Sequence, residues 1–256
     1  MSKIVFFDID GTLLDHRKNI PDSTKKAVQE LKNNGIYVAI ATGRAPFMIG
    51  GIRKELGIDS FVSFNGSYVV FENHTIYKNP LLLQKEKELA SLAASNAAPM
   101  VFMNDKTMKA NVEHHEYIKE SLATMNFAHP DYDPRFFLHN ETYQGLLFCE
   151  EKDQDMYVER FPEFRFVRWH PYSMDVVPKG GSKAEGIKQL LDKLGFKMED
   201  AYAFGDGLND IEMIQAVGTG IAMGNAVEAL KGHADLVTKD VAEDGIYCGL
   251  KQVELI

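Results

Sequence analysis

Asp8-Ile9-Asp10-Gly11-Thr12 sets two carboxylates one residue apart at the end of an apolar run, Ile4-Val5-Phe6-Phe7. One carboxylate of such a pair can attack phosphorus and form an acyl phosphate. Its neighbour can protonate a leaving oxygen and later deprotonate water. Two anionic groups this close need a cation or a shared proton to coexist. The same residues are also ordinary turn chemistry, because Asp-x-Asp-Gly suits a solvated loop after a strand. On the dipeptide spacing alone the two readings stand level. A second acidic segment, Gly205-Asp206-Gly207-Leu208-Asn209-Asp210, follows another apolar run, Ala201-Tyr202-Ala203-Phe204. Oxygen donors without accompanying Cys or His suit Mg²⁺. The G-x-G within this segment lacks the third glycine of a dinucleotide fingerprint, and its acids would repel a pyrophosphate. The ligand spacing and terminal Glu of an EF-hand loop are absent as well.

Two further residues join the candidates. Thr42 ends the run Tyr37–Ala41, where its hydroxyl could donate to a phosphoryl oxygen or simply cap the strand. Ser182-Lys183-Ala184-Glu185 has the capping-box pattern, so Lys183 is expected in the first turn of a helix. A cation is unfavourable beside the partial positive charge of a helix N-terminus. That local mismatch fits a site built to hold an anion, the alternative being an exposed lysine on a solvated face.

These residues need elements to hold them. Short apolar runs alternate with helical patterns at both ends of the chain. Strand Ile4–Phe7 precedes a helix opened by Pro21-Asp22-Ser23 and stopped at Gly35; strand Tyr37–Ala41 precedes a helix from Pro46 to Gly57. Alternation resumes after Gly180-Gly181 with a helix from Ser182 to Leu194, then strands at Ala201–Phe204, Gly220–Met223 and Asp235–Val237. Such alternation implies an α/β fold, a doubly wound, Rossmann-like parallel-sheet core, whose ligand crevice lies beyond the carboxyl ends of its strands. Phe61–Phe64 and Tyr68–Phe71 flank Asn65-Gly66 as a hairpin. From about Leu82 the alternation is lost: helical stretches at Gln84–Asn96 and Glu113–Met125 mix with strands at Met100–Met103, Leu146–Cys149, Phe164–Val167 and Met174–Val177. The expectation is a core formed by residues 1–81 and 179–256 with an α+β domain, residues 82–178, inserted into it.

Composition narrows the function classes. The chain has 256 residues, 45% of them hydrophobic and 25% charged, which is ordinary globular usage. A net charge of −9 argues against a nucleic-acid footprint, which needs a clustered basic surface. It leaves room for a small phosphorylated ligand, since one local cation can dominate a pocket. No apolar run approaches the roughly 18 residues of a membrane span, and no signal-peptide pattern opens the chain. Two cysteines, Cys149 and Cys248, supply no disulfide framework, so a reduced, cytoplasmic protein is the simpler reading. Oligomeric state has no sequence signature here.

The assembled set is more specific than its parts. DxDGT after a strand, Thr42 at the next strand end, Lys183 at a later helix start and GDGLND after another strand occur in that order. In this the sequence resembles the haloacid dehalogenase (HAD) superfamily of phosphohydrolases over its whole length. The segment between Asp10 and Thr42 is too short for a domain, whereas that between Thr42 and Lys183 is ample. A large insert there looks like the type-2 cap of subclass IIB, and GDGLND with Gly224-Asn225-Ala226 is similar to the Cof-type group. Asn65-Gly66-Ser67 differs slightly from the Asn-Gly-Ala common at that place. The resemblance implies a Mg²⁺-dependent phosphatase acting on small phosphorylated metabolites through an aspartyl-phosphate. Asp8 would be the nucleophile and Asp10 the acid and then base. Asp8, the backbone carbonyl of Asp10, and Asp206 would bind the metal, with Asp210 a ligand or a support. Thr42, Gly43, Lys183 and Asn209 would bind the phosphate, and the inserted cap would select the substrate.

Arg44 and Asn65 read equally as substrate contacts and as turn residues. Glu113-His114-His115-Glu116 invites a metal reading, but adjacent helical histidines diverge and a solvated face is the stronger account. Arg135-Phe136-Phe137 and Arg168-Trp169-His170 could line a cap pocket or be core with an exposed arginine; Met100 and Met103 read as core. A phosphosugar mutase of the same fold shares the aspartyl-phosphate chemistry and is the nearest alternative; a regulatory or binding protein of weak activity is the other.

Overall fold

The run Ile4–Phe7 becomes strand β1, with all its side chains buried, as befits a strand covered on both faces. A computed structural model describes residues 3–256. Along the chain β1 is followed by α1 (Asp22–Asn33), β2 (Tyr37–Ala41), α2 (Gly50–Leu56), β3 (Ser60–Ser63), β4 (Tyr68–Phe71) and β5 (His74–Lys78). Then come α3 (Leu83–Ser95), β6 (Met100–Met103), β7 (Met108–Ala110), α4 (Glu116–Ala123), α5 (Phe136–His139), β8 (Gln144–Phe148), α6 (Asp155–Arg160), β9 (Phe164–His170) and β10 (Ser173–Pro178). The chain closes with α7 (Lys183–Leu194), β11 (Ala201–Gly205), α8 (Ile211–Ala216), β12 (Thr219–Ala222), α9 (Glu228–Lys231), β13 (Leu236–Val237) and α10 (Gly245–Gln252). Two compact units result: one comprises the residues up to Arg44, Met48–Tyr77 and Ser182–Ile256; the other comprises Ala45–Phe47 and Lys78–Gly181. Among the described residues no helix is long and apolar enough to cross a membrane.

The first unit is built on an eight-stranded sheet in the order β13-β12-β11-β1-β2-β3-β4-β5. From β13 to β3 every pairing is parallel, and β4 runs antiparallel to β3. The strand order departs from β1 in both directions, towards β2 on one side and β11 on the other. That makes the end of β1 a topological switch point, where such sheets open a ligand crevice. Helix α1 starts after Pro21, whose fixed φ suits a helix entry, and buries Ala27, Val28 and Leu31.

The second unit is an antiparallel sheet in the order β7-β6-β8-β10-β9. Helices α3, α5 and α6 bury Leu89, Phe137 and Tyr157 against Phe102, Leu147 and Met174. Phe136 and Phe137 belong to this core, as does Met100, while Met103 is buried at 2% exposure. Arg168 bonds the carbonyl oxygens of Cys149 and Pro171 and the side chain of Gln154, so it ties loops together. In the first turn of α3, Glu86 is 1% exposed, and its carboxyl accepts one bond from Thr142 at 2.7 Å.

Several local expectations shift. Helix α4 begins at Glu116 instead of Glu113, because His115 is extended and its ring accepts the Tyr117 N–H as a cap. His114 therefore precedes the helix, where its ring meets Glu116 at 2.8 Å. Pro46–Met48 forms a 3₁₀ turn, and α2 starts only at Gly50. Strands β5 and β7 and helices α5 and α6 were not expected: β5 is largely exposed and lacks an apolar run, and the other three are too short for periodicity to declare them.

Candidate active site

Asp8, Thr42 and Asp206 directly follow β1, β2 and β11, so the parallel register delivers all three to one end of the sheet. The Asp8 N–H continues the ladder to the Phe204 carbonyl at 3.0 Å, and the Thr42 N–H reaches Val62 at 2.8 Å. Lys183 comes from the start of α7, where Ser182 Oγ accepts the Glu185 N–H at 3.2 Å. The position of that helix start depends on glycines. Gly66, at φ 97°, lies so close that a Cβ there would sit 2.0 Å from the Ser182 carbonyl oxygen, and one on Gly186 would sit 2.7 Å from Gly66 Cα.

The centre of the site is a buried lysine between two aspartates. Lys183 Nζ donates to Asp8 Oδ1 at 2.5 Å and to Asp210 Oδ1 at 2.6 Å, with no exposure of the lysine side chain. The other oxygen of Asp210 accepts the backbone N–H groups of Asp206, at 3.0 Å, and Gly207, at 2.9 Å. Both Asp210 oxygens are thus already engaged. Asp206 accepts from Thr12 Oγ1 at 3.3 Å. Gly11 stands at φ 81°, and a Cβ there would fall 2.2 Å from Asp206 Oδ2, so only glycine lets the two loops converge.

Oxygens of Asp8, Asp206 and Asp210 lie within 4.8 Å of one another. One ammonium cannot balance three carboxylates. Burial, with the charges of Asp210 and Asp206, pushes Asp8 up to about 8 against the pull of Lys183. Burial and Asp210 push Asp206 up to about 6. Burial alone would lower Lys183, but Asp210 and Asp8 outweigh it and hold the ammonium well above its ordinary value. An all-oxygen set short of positive charge fits a hard divalent cation.

Asp10 is set apart from this cluster. Arg44 Nε donates to its Oδ2 at 2.8 Å and Arg44 Nη2 to its Oδ1 at 2.7 Å, and Lys18 adds a bond at 2.7 Å. Burial would raise its carboxyl, yet Arg44 and then Lys18 overcome this and hold it below the usual range. Thr42 is buried; its Oγ1 accepts the Arg44 N–H at 3.1 Å, and its carbonyl accepts the Asn65 N–H at 3.1 Å. Asn65 is buried too, its amide packed against Gly43, where a Cβ would sit 3.0 Å from it. Asn209 is exposed in the turn that ends at Asp210. Lys18 and Thr12 had no expected role. Asn225, noted only within a motif, bonds the Gly11 carbonyl at 2.8 Å and the Val241 N–H at 2.9 Å, bracing the loop that follows Asp8.

The chain is similar to known proteins over almost its whole length. The haloacid dehalogenase-like hydrolase family matches residues 5–250. YkrA of Bacillus subtilis (strain 168) is 52% identical over 255 residues, covering 100% of this chain and 99% of the relative. The 5-amino-6-(5-phospho-D-ribitylamino)uracil phosphatase YcsE of the same organism is 31% identical over 251 residues, covering 95% of this chain and 92% of that protein. Among solved structures, the HAD subclass IIB sugar phosphatase BT4131 superposes with a TM-score of 0.87 at 30% identity, both chains covered in full at 100%. The chain belongs to the haloacid dehalogenase-like hydrolases, in their Cof-type branch. It is a phosphatase, a hydrolase of phosphoric monoesters.

Proposed function

We propose that the protein is a Mg²⁺-dependent phosphatase of small phosphorylated metabolites, sugar phosphates or similar monoesters, that works through a phosphorylated Asp8. The observation that carries this reading is the buried Asp8–Lys183–Asp210 array at the switch point, with Asp206 beside it. Asp8, the backbone carbonyl of Asp10, and Asp206 would hold the cation; Asp210, with both oxygens taken, would support Lys183 and the loop instead of binding metal. When bound, the cation would neutralise phosphate charge and keep Asp8 anionic.

The chain's own residues supply the steps. An Asp8 oxygen forms a bond to phosphorus as the ester P–O bond breaks, and Asp10, once it has taken up a proton against the pull of Arg44 and Lys18, gives that proton to the departing oxygen. Water then attacks phosphorus, Asp10 takes its proton, and phosphate leaves as the Asp8–phosphorus bond breaks. Lys183 neighbours both the nucleophile and the incoming phosphoryl group. Because Thr42 Oγ1 accepts from the Arg44 N–H, its own proton is left to donate to a phosphoryl oxygen. The Gly43 N–H and the Asn209 amide complete the phosphate contacts, while Asn65 holds the Gly43 turn. Residues 82–178 would act as a cap that governs substrate choice. The names of YcsE and BT4131, a phosphoribityl compound and sugars, support a small polyol or sugar phosphate. Two free cysteines suit a cytoplasmic enzyme.

A panel of phosphomonoesters assayed for free phosphate with and without Mg²⁺ tests the reading, with sugar-phosphate isomerisation followed in parallel to detect a mutase. Turnover should require the cation, and Asp8→Asn should lower kcat by roughly a thousandfold or more. Undiminished kcat in that variant would sink the mechanism.

A further inference from the structure

Arg44 joins two parts of the site. Its backbone is held at both polar groups, the N–H by Thr42 Oγ1 at 3.1 Å and the carbonyl by the Phe64 N–H at 3.3 Å. From there its side chain, 13% exposed, crosses to Asp10 and bonds both carboxyl oxygens at 2.8 and 2.7 Å. A two-bond guanidinium fork sets the plane of a carboxyl group, which a single ammonium cannot do. Lys18 supplies such a single contact from a side chain 46% exposed. The chain is nevertheless shaped to deliver it. Asp15 Oδ1 accepts the Arg17 and Asn19 N–H groups at 2.8 Å each, and Lys18 adopts φ 63° in the turn they make. That left-handed geometry is one an L-residue adopts only at a cost.

We infer that Arg44 is a positioning residue for the reaction: it fixes the plane of the Asp10 carboxyl so that one oxygen meets the leaving-group oxygen and, later, the attacking water. The inference rests on the phosphatase reading above. Through its N–H on Thr42, Arg44 also keeps Asp10, the proton donor to the leaving group, in step with the hydroxyl that donates to a phosphoryl oxygen. It acts through Asp10 and needs no contact with substrate. Lys18 assists from the solvent side.

The choice of leaving group tests this. The ratio kcat/KM reports events up to cleavage of the ester bond, where an alkyl phosphate needs a proton from Asp10 and a nitrophenyl phosphate does not. Losing the guanidinium frees Asp10 to take up a proton but leaves its plane unset; if orientation governs, kcat/KM of Arg44→Ala for an alkyl phosphate should fall about 10- to 100-fold, part of what a general acid contributes. For the nitrophenyl ester it should stay within about threefold. Added to Asp10→Asn, the Arg44 substitution should cause little further loss with the alkyl ester, because residues acting as a unit are not additive. Arg44→Lys, which keeps the charge and loses the fork, should show the same selectivity in milder form and serves if the alanine variant fails to fold. Equal losses of kcat/KM for both esters, or a full additional loss in the Asp10→Asn background, would assign Arg44 to substrate binding and overturn the inference. Should Asp8→Asn turn over normally, the parent reading falls instead, so the two failures are told apart.

Discussion

Lys183 is a buried ammonium whose partners are two buried carboxylates, and removing it would strand both. Breaking such an array from one side typically costs about 3–5 kcal/mol. Lys183→Met should therefore lower the unfolding free energy of the metal-free protein, read from denaturant curves, by an amount of that order, softened because Asp8, pushed up to about 8, can hold a proton. Phosphate release should fall by at least roughly 100-fold. A variant as stable and as active as the parent would contradict the placement. Lys183 was legible in the sequence because a lysine in a helix's first turn is locally wrong there. Asp8, Thr42 and Asp206 were legible because each ends a strand-like run. The partnership of Arg44 with Asp10 was not: no spacing rule joins the residue after Thr42-Gly43 to a carboxylate on another loop. Nor could a motif show that Asp210 spends both oxygens on Lys183 and on backbone, which only the folded loop reveals.

Helix α7 can present Lys183 only where its start is allowed to lie. A Cβ on Gly186 would come within 2.4 Å of Val62 Cγ1 and 2.7 Å of Gly66 Cα. Gly186→Ala should cost about 1–3 kcal/mol by overpacking. It should also lower kcat tenfold or more, since a displacement near 1 Å can cost about 100-fold. A folded variant with parental kcat would refute that dependence. Helix α3 carries a different liability in Glu86, which burial pushes up to about 7 despite the bond from Thr142. Below its ordinary value of 4.5 the group is protonated whether folded or not. As pH rises through about 7 the folded state must give up a proton the unfolded state has already lost, so this contribution to stability disappears. Glu86→Gln should remove on the order of 3 kcal/mol of the decline between about pH 5 and pH 8, read from urea midpoints. An unchanged pH slope would argue against it. Long alternating elements were readable from periodicity, whereas β7 and α5, of three and four residues, owe their form to neighbours.

For the whole molecule, a cation that binds only the folded site must stabilise it. At 100 times its dissociation constant the gain is about 2.7 kcal/mol, or roughly 5–10 °C for a chain of this size. Thermal melts with Mg²⁺ and with chelator should differ by that much, and Asp206→Asn should shrink the difference. Equal melting curves would speak against a cation in the acidic cluster. The doubly wound class was readable because alternation occurs at both ends of the chain, but how those ends share one sheet was only implied. In that sheet β1 lies between β2 and β11, with Ile4 opposite both Tyr37 and Ala201. During synthesis β1, which leads into Asp8, is made long before β11, its partner on one side. Until residues 201–205 emerge, β1 keeps one row of backbone donors and acceptors unpaired beside four apolar side chains. Such an edge invites pairing with another chain. The arrangement that brings Asp8 and Asp206 together thus makes the nascent protein dependent on protection of β1 until β11 arrives.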